Sequence, residues 1–346
     1  MHSQLHRLTN FDLRKVGRSF KRKFVTTQTT TSLIEHLFAE HRQYLWGIGY
    51  RMTGNAADAD DLVQETFIRA MNHPPAKLDQ PLRPWLVQVL MNLSRDLLRR
   101  RKRQSYEGIW LPSPIETAED VSSTVSESQN AATRYDLMES VSFAFLLAME
   151  ALTPTQRAVL LLRDVFDYSV AETAKALNIS EPNVKTTLHR ARRAMSDYDC
   201  SRVIPTREVQ TQTRQVMERF LRLLSEQNVA GIENLLARDA RQLSDGGGEF
   251  IAARAPIIGR KKVALFNLRI AAQASTLAIN FSWRMLNGMP ALVTDLSQVP
   301  PNYAPRVVML FELDAENRIR HIYNVLASRK LTAIEDHAFV SVTTGC

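Results

Sequence analysis

The chain reads as a multidomain protein in which two all-α bodies precede an α+β body. Three observations predict this. Apolar residues recur at helical spacing from Ser32 to Arg103 and again from about Arg134 to Tyr198, and strand-like alternation enters only after Gly248. At 346 residues the chain is too long for one ordinary domain and long enough for two or three, each with its own core. Residues 104–133, between the helical blocks, are acidic, Ser-rich and broken by prolines, which is linker chemistry. The expected parts are a disordered basic arm (1–31), a helical body (32–103), the linker (104–133), a second helical body (134–198), a connector (199–206), the α+β body (207–335) and a tail (336–346).

Composition bounds the function. Hydrophobic residues make up 45% and charged residues 23%, the balance of a soluble globular protein. The net charge of +8 suggests a polyanionic partner, but seven basic residues and one acidic residue in the first thirty supply most of it. That opening reads as a disordered arm, with an organellar transit peptide or an over-long start as alternatives. Cys200 and Cys346 are the only cysteines, too few for a disulfide framework or a metal site, so no metal and no cofactor are expected. The longest apolar stretch, 141–152, contains Glu150 and is shorter than a membrane span. A cytoplasmic protein with no membrane partner is expected.

In the first body, "NAADADDLVQETFIRA" places Ala59, Leu62, Val63, Thr66, Phe67 and Ala70 on one buried helix face. Asp58, Asp61, Glu65 and Arg69 form a neighbouring stripe, either a solvated face or a row of carboxylates offered to a partner. The next helix, "RPWLVQVLMNLSRDLLRRRKR", turns Trp85, Leu86, Val89, Leu93 and Leu97 inward and carries Asn92, Arg95, Asp96 and Arg99 outside. Five basic residues end it, Arg99 to Arg103, more than dipole compensation needs, which favours phosphate contact.

The second body holds two cap signals: Thr153-Pro154 opens a helix through Val165, and Ser169 with Glu172 forms a capping box. After the turn "NIS", Ser180 caps a last helix, which completes a helix-turn-helix. Val184, Leu188, Ala191 and Met195 face its core, leaving Asn183, Lys185, Thr186, His189, Arg190 and Arg193 outside. Those are donor-rich types that reach base edges and phosphates in a major groove.

Two separated segments resemble one family. "DADDLVQETFIRA" with "RPWLVQVLMNLSRDLLRRRKR" resembles region 2 of bacterial extracytoplasmic-function (ECF) sigma factors, and "LTPTQRAVLLLRDVFDYSVAETAKALNISEPNVKTTLHRARRAM" resembles their region 4. The resemblance implies that Asp61, Leu62, Val63, Gln64 and Glu65 dock on the clamp helices of core RNA polymerase, with the flap as a second contact. It implies that Asn92, Arg95, Asp96, Arg99 and Arg100 help open and read promoter DNA near minus ten, and that the last helix of region 4 reads minus thirty-five. Asn178 stands in the turn where many relatives have glycine; asparagine tolerates the left-handed conformation.

The third body begins with an amphipathic helix and a shorter one. Asn287-Gly288 between alternating apolar runs signals a type I′ hairpin, and a second hairpin turns at Asp314 to Asn317. This helix-then-antiparallel-sheet order resembles the SnoaL-like cone, which some ECF sigma factors carry as a C-terminal extension. Their linker has a Trp-Leu-Pro-Glu-Pro signature, matched by Trp110, Leu111 and Pro112 but not Ser113; their extension has Asp-Gly-Gly-Gly-Lys, matched by Asp245, Gly246, Gly247 and Gly248 but not Glu249. A third motif, Asn-Pro-Asp-Lys-Leu, is largely lost in Ala327 to Leu331, which puts its contact in doubt.

The resemblance implies a sigma factor whose extension meets its own sigma core through the glycine loop and replaces a separate anti-sigma protein. An ordinary turn needing positive φ is the simpler account of the glycines. A small-molecule ligand in the extension, shifting an autoinhibited equilibrium, is a further expectation. Asp239, Asp245, Asp295 and His321 are its acid-base groups, but sequence position proves no convergence, and no enzyme is expected. Two rivals stay open: a helix-turn-helix regulator that acts without polymerase, and a SnoaL-like enzyme fused to a DNA-binding module.

Overall fold

The computed structural model describes residues 27–73, 81–104, 106–117, 133–274 and 277–335. Most of the expected basic arm, half of the linker (118–132) and the tail (336–346) lie outside the described residues. Two compact units divide the chain, 1–42 and 43–346. The first holds the opening part of helix α1 (Thr27–Thr53), and the second holds the rest of the fold.

Helix α2 (Ala56–Asn72) starts where Gly54 takes φ +63° and Asn55 caps the first turn, its Oδ1 accepting from Asp58 N at 3.1 Å. It buries Ala59, Leu62, Val63, Thr66 and Phe67, the face read from its spacing. Helix α3 (Arg83–Arg101) buries a wider face than expected. Leu86, Val87, Leu90, Met91 and Leu98 are inside, whereas Trp85, Val89 and Leu97 are half-buried. The reason is a second neighbour: α3 packs on α2 and also on two helices of the following body.

That body comprises α4 (Phe143–Ala148), α5 (Pro154–Leu160) with a π-turn over Leu161–Val165, α6 (Val170–Leu177), α7 (Glu181–Ala194) and the short α8 (Ser196–Ser201). Helices α5 and α6 are the ones that meet α3. Both expected caps are reciprocal capping boxes, Thr153 with Gln156 and Ser169 with Glu172. Asn178 ends α6 in the left-handed conformation, φ 53°, and turns the chain into α7.

The C-terminal body comprises α9 (Arg207–Ser225), α10 (Val229–Leu235), β1 (Leu236–Asp245), β2 (Ile257–Ile258), α11 (Arg260–Ala274), β3 (Ala278–Leu286), β4 (Met289–Ser297), β5 (Arg306–Leu313) and β6 (Ile319–Val325). The sheet order is β2-β1-β6-β5-β4-β3. Two expectations need correction. Strands begin at Leu236 rather than after Gly248, because β1 is rich in Ala, Arg and Asp and bulged between Leu236 and Arg241, which hides its alternation. The sheet is mixed, since β1 pairs parallel with β6. Both hairpins form as read, Asn287 and Gly288 having φ 54° and 76°.

Each face of this sheet is covered. Leu292, Phe311, Leu313 and Ile322 pack against α9, α10 and α11 around Phe220. Ala291, Val293, Val308, Leu310, Tyr323 and Val325 pack instead against Leu111 of the linker and Phe143 of α4. The linker also extends the sheet edge, Glu116 bridging to Leu286 and Thr117 N donating to Met285 O at 2.9 Å.

Candidate functional site

Asp245, the last residue of β1, is fully buried at the meeting point of the linker and the C-terminal body. Its Oδ1 accepts from Tyr106 OH at 2.6 Å and Gly247 N at 2.9 Å, and its Oδ2 accepts from Leu111 N at 2.8 Å. Lys330, 1% exposed, donates to the same Oδ2 and to Leu111 O. Burial pushes the Lys330 ammonium down to about 8, against the pull of Asp245. Burial and the bond to Asp245 raise the Tyr106 phenol. The retained lysine of the third motif thus makes a contact that the loss of its neighbours had put in doubt. Glu249, the other departure, accepts from Ser328 N at 3.1 Å and faces Arg329 at 3.8 Å.

The glycine loop satisfies two demands at once. Gly247 and Gly248 have φ +63° and +74°, and a Cβ on Gly248 would lie 3.1 Å from Glu107 of the linker. Trp110 covers Gly54 so closely that a Cβ there would come within 2.6 Å of its ring.

A second contact was legible only as a turn. Asn287, 1% exposed, donates to Tyr50 OH and Val141 O, both at 2.6 Å, and its Oδ1 accepts from Ile115 N at 2.9 Å. Tyr50 in turn donates to Ser113 O at 2.7 Å. One hairpin amide therefore joins α1, the linker and the entry to α4. Nothing in a Asn-Gly dipeptide signals this.

The two helical bodies are also locked to each other. Arg51, buried, donates from Nε to Ser140 Oγ and from Nη2 to Leu137 O, each at 2.7 Å. Burial pushes its guanidinium down to about 10. Arg157 donates to Met52 O at 2.8 Å, and the Tyr44 and Phe166 ring centres lie 5.6 Å apart, edge to face.

The faces expected to meet macromolecules are placed as follows. On α2, Asp61 and Gln64 are exposed and Glu65 pairs with Arg69 at 2.8 Å, whereas Leu62 and Val63 lie in the core. On α3, Asp96, Arg99 and Arg100 are exposed, while Asn92 and Arg95 are half-buried and bonded to each other. On α7, Asn183, Lys185, Thr186, His189, Arg190 and Arg193 all face outward over buried Val184 and Ala191. The acid-base groups are not brought together: Asp239 is exposed, Asp245 is in the junction, Asp295 pairs with Arg306 at 2.6 Å, and His321 lies 3.3 Å from Glu312. Among the described residues no helix is long and apolar enough to cross a membrane.

These features define a helix-turn-helix transcription factor with a second helical body and a tethered α+β domain. Residues 37–104 match the model of Sigma-70 region 2, and residues 142–195 match that of Sigma-70, region 4. The ECF RNA polymerase sigma factor SigJ of Mycobacterium tuberculosis is 30% identical over 233 residues, covering 67% of this chain and 71% of that protein. SigG of the same organism is 36% identical over 165 residues, 44% of this chain and 45% of that relative. The crystal structure of SigJ superposes with a TM-score of 0.64 at 24% identity, covering 86% of this chain and 98% of that one, so the C-terminal body belongs to a shared fold. The chain belongs to the ECF family of RNA polymerase sigma factors, which direct core polymerase to promoters and initiate transcription. That removes the rival of a regulator acting without polymerase.

Proposed function

We propose that this sigma factor is held in an inactive, closed form by its own C-terminal domain (207–335). The observation that carries the proposal is Asp245, a buried carboxylate that ties β1, the linker and Lys330 into one body. Promoter elements near minus ten and minus thirty-five lie about 25 base pairs apart, roughly 85 Å of B-form DNA at about 3.4 Å per step. Two bodies of this size, each with a radius of gyration of about 10 Å, cannot span that distance while hydrogen-bonded to each other. The domain would therefore act by fixing spacing, since α7 and the Asp61 face stay exposed.

In the released form, Asp61, Gln64 and Glu65 would dock on the polymerase clamp, with Leu62 and Val63 shaping that helix from beneath. Asn92, Arg95, Asp96, Arg99 and Arg100 would engage minus ten, and the outward residues of α7 minus thirty-five. The C-terminal domain is regulatory rather than catalytic, a reading supported by the separation of Asp239, Asp295 and His321 into unrelated pairs and surfaces.

Run-off transcription with bacterial core polymerase tests this, using promoter DNA selected by the protein. Removing the C-terminal domain would expose the apolar patch around Leu111 and Phe143, so full-length variants are the cleaner comparison. Asp245→Asn is expected to raise transcript yield from an unchanged start site. A yield equal to or below that of the unaltered protein, at equal folded fraction, shows that the domain supports initiation instead.

A further inference from the structure

A cavity of about 840 Å³ opens where the parts of the second unit meet. That volume lies within the range of small-molecule sites, roughly 300–1,000 Å³. Arg101 of α3 and Lys102 just after it, Tyr106 and Trp110 of the linker, Arg157 of α5 and Arg329 of the C-terminal domain all line it. No single body supplies the wall, so the cavity exists only in the closed arrangement.

Three features point to a ligand. Tyr106 and Trp110 supply aromatic surface, with the Lys330 nitrogen 4.8 and 4.6 Å from their ring centres. The carboxylates at the wall are each paired, Asp58 with Arg101, Glu150 with Arg157 and Glu107 with Arg254. Lys102, on the exposed surface, and Arg329, 3.8 Å from Glu249, have long side chains that can turn toward an incoming charge.

We propose that this junction cavity binds a small planar organic anion, an aryl carboxylate or aryl phosphate. Its ring lies against Tyr106 and Trp110, and its charge is met by Lys102 and Arg329. Because the site is complete only in the closed form, occupancy favours that form, and the ligand acts as a corepressor. This effect on transcription rests on the closed-form reading above; binding itself does not.

Isothermal titration calorimetry on the full chain tests the site with 1-naphthoate, 1-naphthyl phosphate and the neutral 1-naphthalenemethanol. At least one anion is expected to bind saturably at one per chain, and the tighter of the two identifies the headgroup. The alcohol should bind at least tenfold more weakly, and a Lys102→Ala, Arg329→Ala double variant should lose at least tenfold in affinity for the anion. Should that variant fail to fold, Lys102→Glu on the surface carries the same comparison. No saturable binding of either anion, equal binding of the alcohol, or undiminished affinity in the variant overturns the proposal. An anion that binds as expected but leaves run-off transcription unchanged upholds the site and overturns its action through the closed form.

Discussion

Two of the contacts that join the C-terminal domain to the rest of the protein, at Asp245 and at Asn287, are built from opposite chemistry. At Asp245 a carboxylate and an ammonium are buried together; at Asn287 a neutral amide makes three hydrogen bonds from a hairpin turn. The charged contact is the more fragile to single changes, because removing one partner strands the other charge in the interior. Breaking the neutral contact strands only uncharged donors and acceptors, which costs less than a stranded charge. The same C-terminal domain is thus held by one fastening that responds to charge and one that does not.

The largest effect should come from Lys330→Met, which leaves Asp245 buried without its countercharge and should destabilise the closed form by about 3–5 kcal/mol. Urea unfolding and limited proteolysis of the linker would register it. The double change Asp245→Asn, Lys330→Met should cost less than Lys330→Met alone, and a larger cost would refute the stranded-charge account. Asn287→Ala should cost less again, about 1–3 kcal/mol, by unpairing the partners of three neutral hydrogen bonds.

The pH dependence separates the two contacts further. Lys330 titrates at about 8 in the closed form against an ordinary 10.5, so the closed form binds fewer protons between those values. Stability of the closed form should therefore rise with pH through that window, by up to about 1.4 kcal/mol per unit. Below pH 8 both states carry the charge and the dependence vanishes. Raised Tyr106 opposes the trend above pH 10, so thermal unfolding between pH 8 and 10 is the useful range. Lys330→Met should abolish the rise, and Asn287→Ala should retain it.

The smallest effect belongs to a residue in neither contact. Arg190→Ala on α7 should weaken promoter binding by about 1 kcal/mol and reduce the salt slope by about one, leaving linker proteolysis unchanged.

Local signals explain what was legible in the sequence. The caps at Thr153 and Ser169, the left-handed Asn178 and the spacing of Val184, Ala191 and Met195 are encoded within a few residues of one another. The glycine loop and the Trp110-Leu111-Pro112 stretch were legible as partners only through family resemblance. Asn287, Tyr50, Arg51 and Arg157 were not, because their partners lie 63 to 237 residues away for all but the local bonds. The buried face of α3 was misjudged for the same reason. A helix reports the width of its core face, but the identity of a second packing partner is set by tertiary structure.

The open aspect of α7 in the closed form has a kinetic meaning. On the proposed closed form, a fastened chain would still touch DNA through that helix, or polymerase through the Asp61 face, one at a time. The proposed release would add no surface for DNA; it would make simultaneous engagement possible, and the gain would be one of avidity, about 10² to 10⁴ for linked modules whose geometry permits both. Fastened molecules would accordingly wait at their targets, so that the response would begin from a bound population and be limited by unfastening rather than by search.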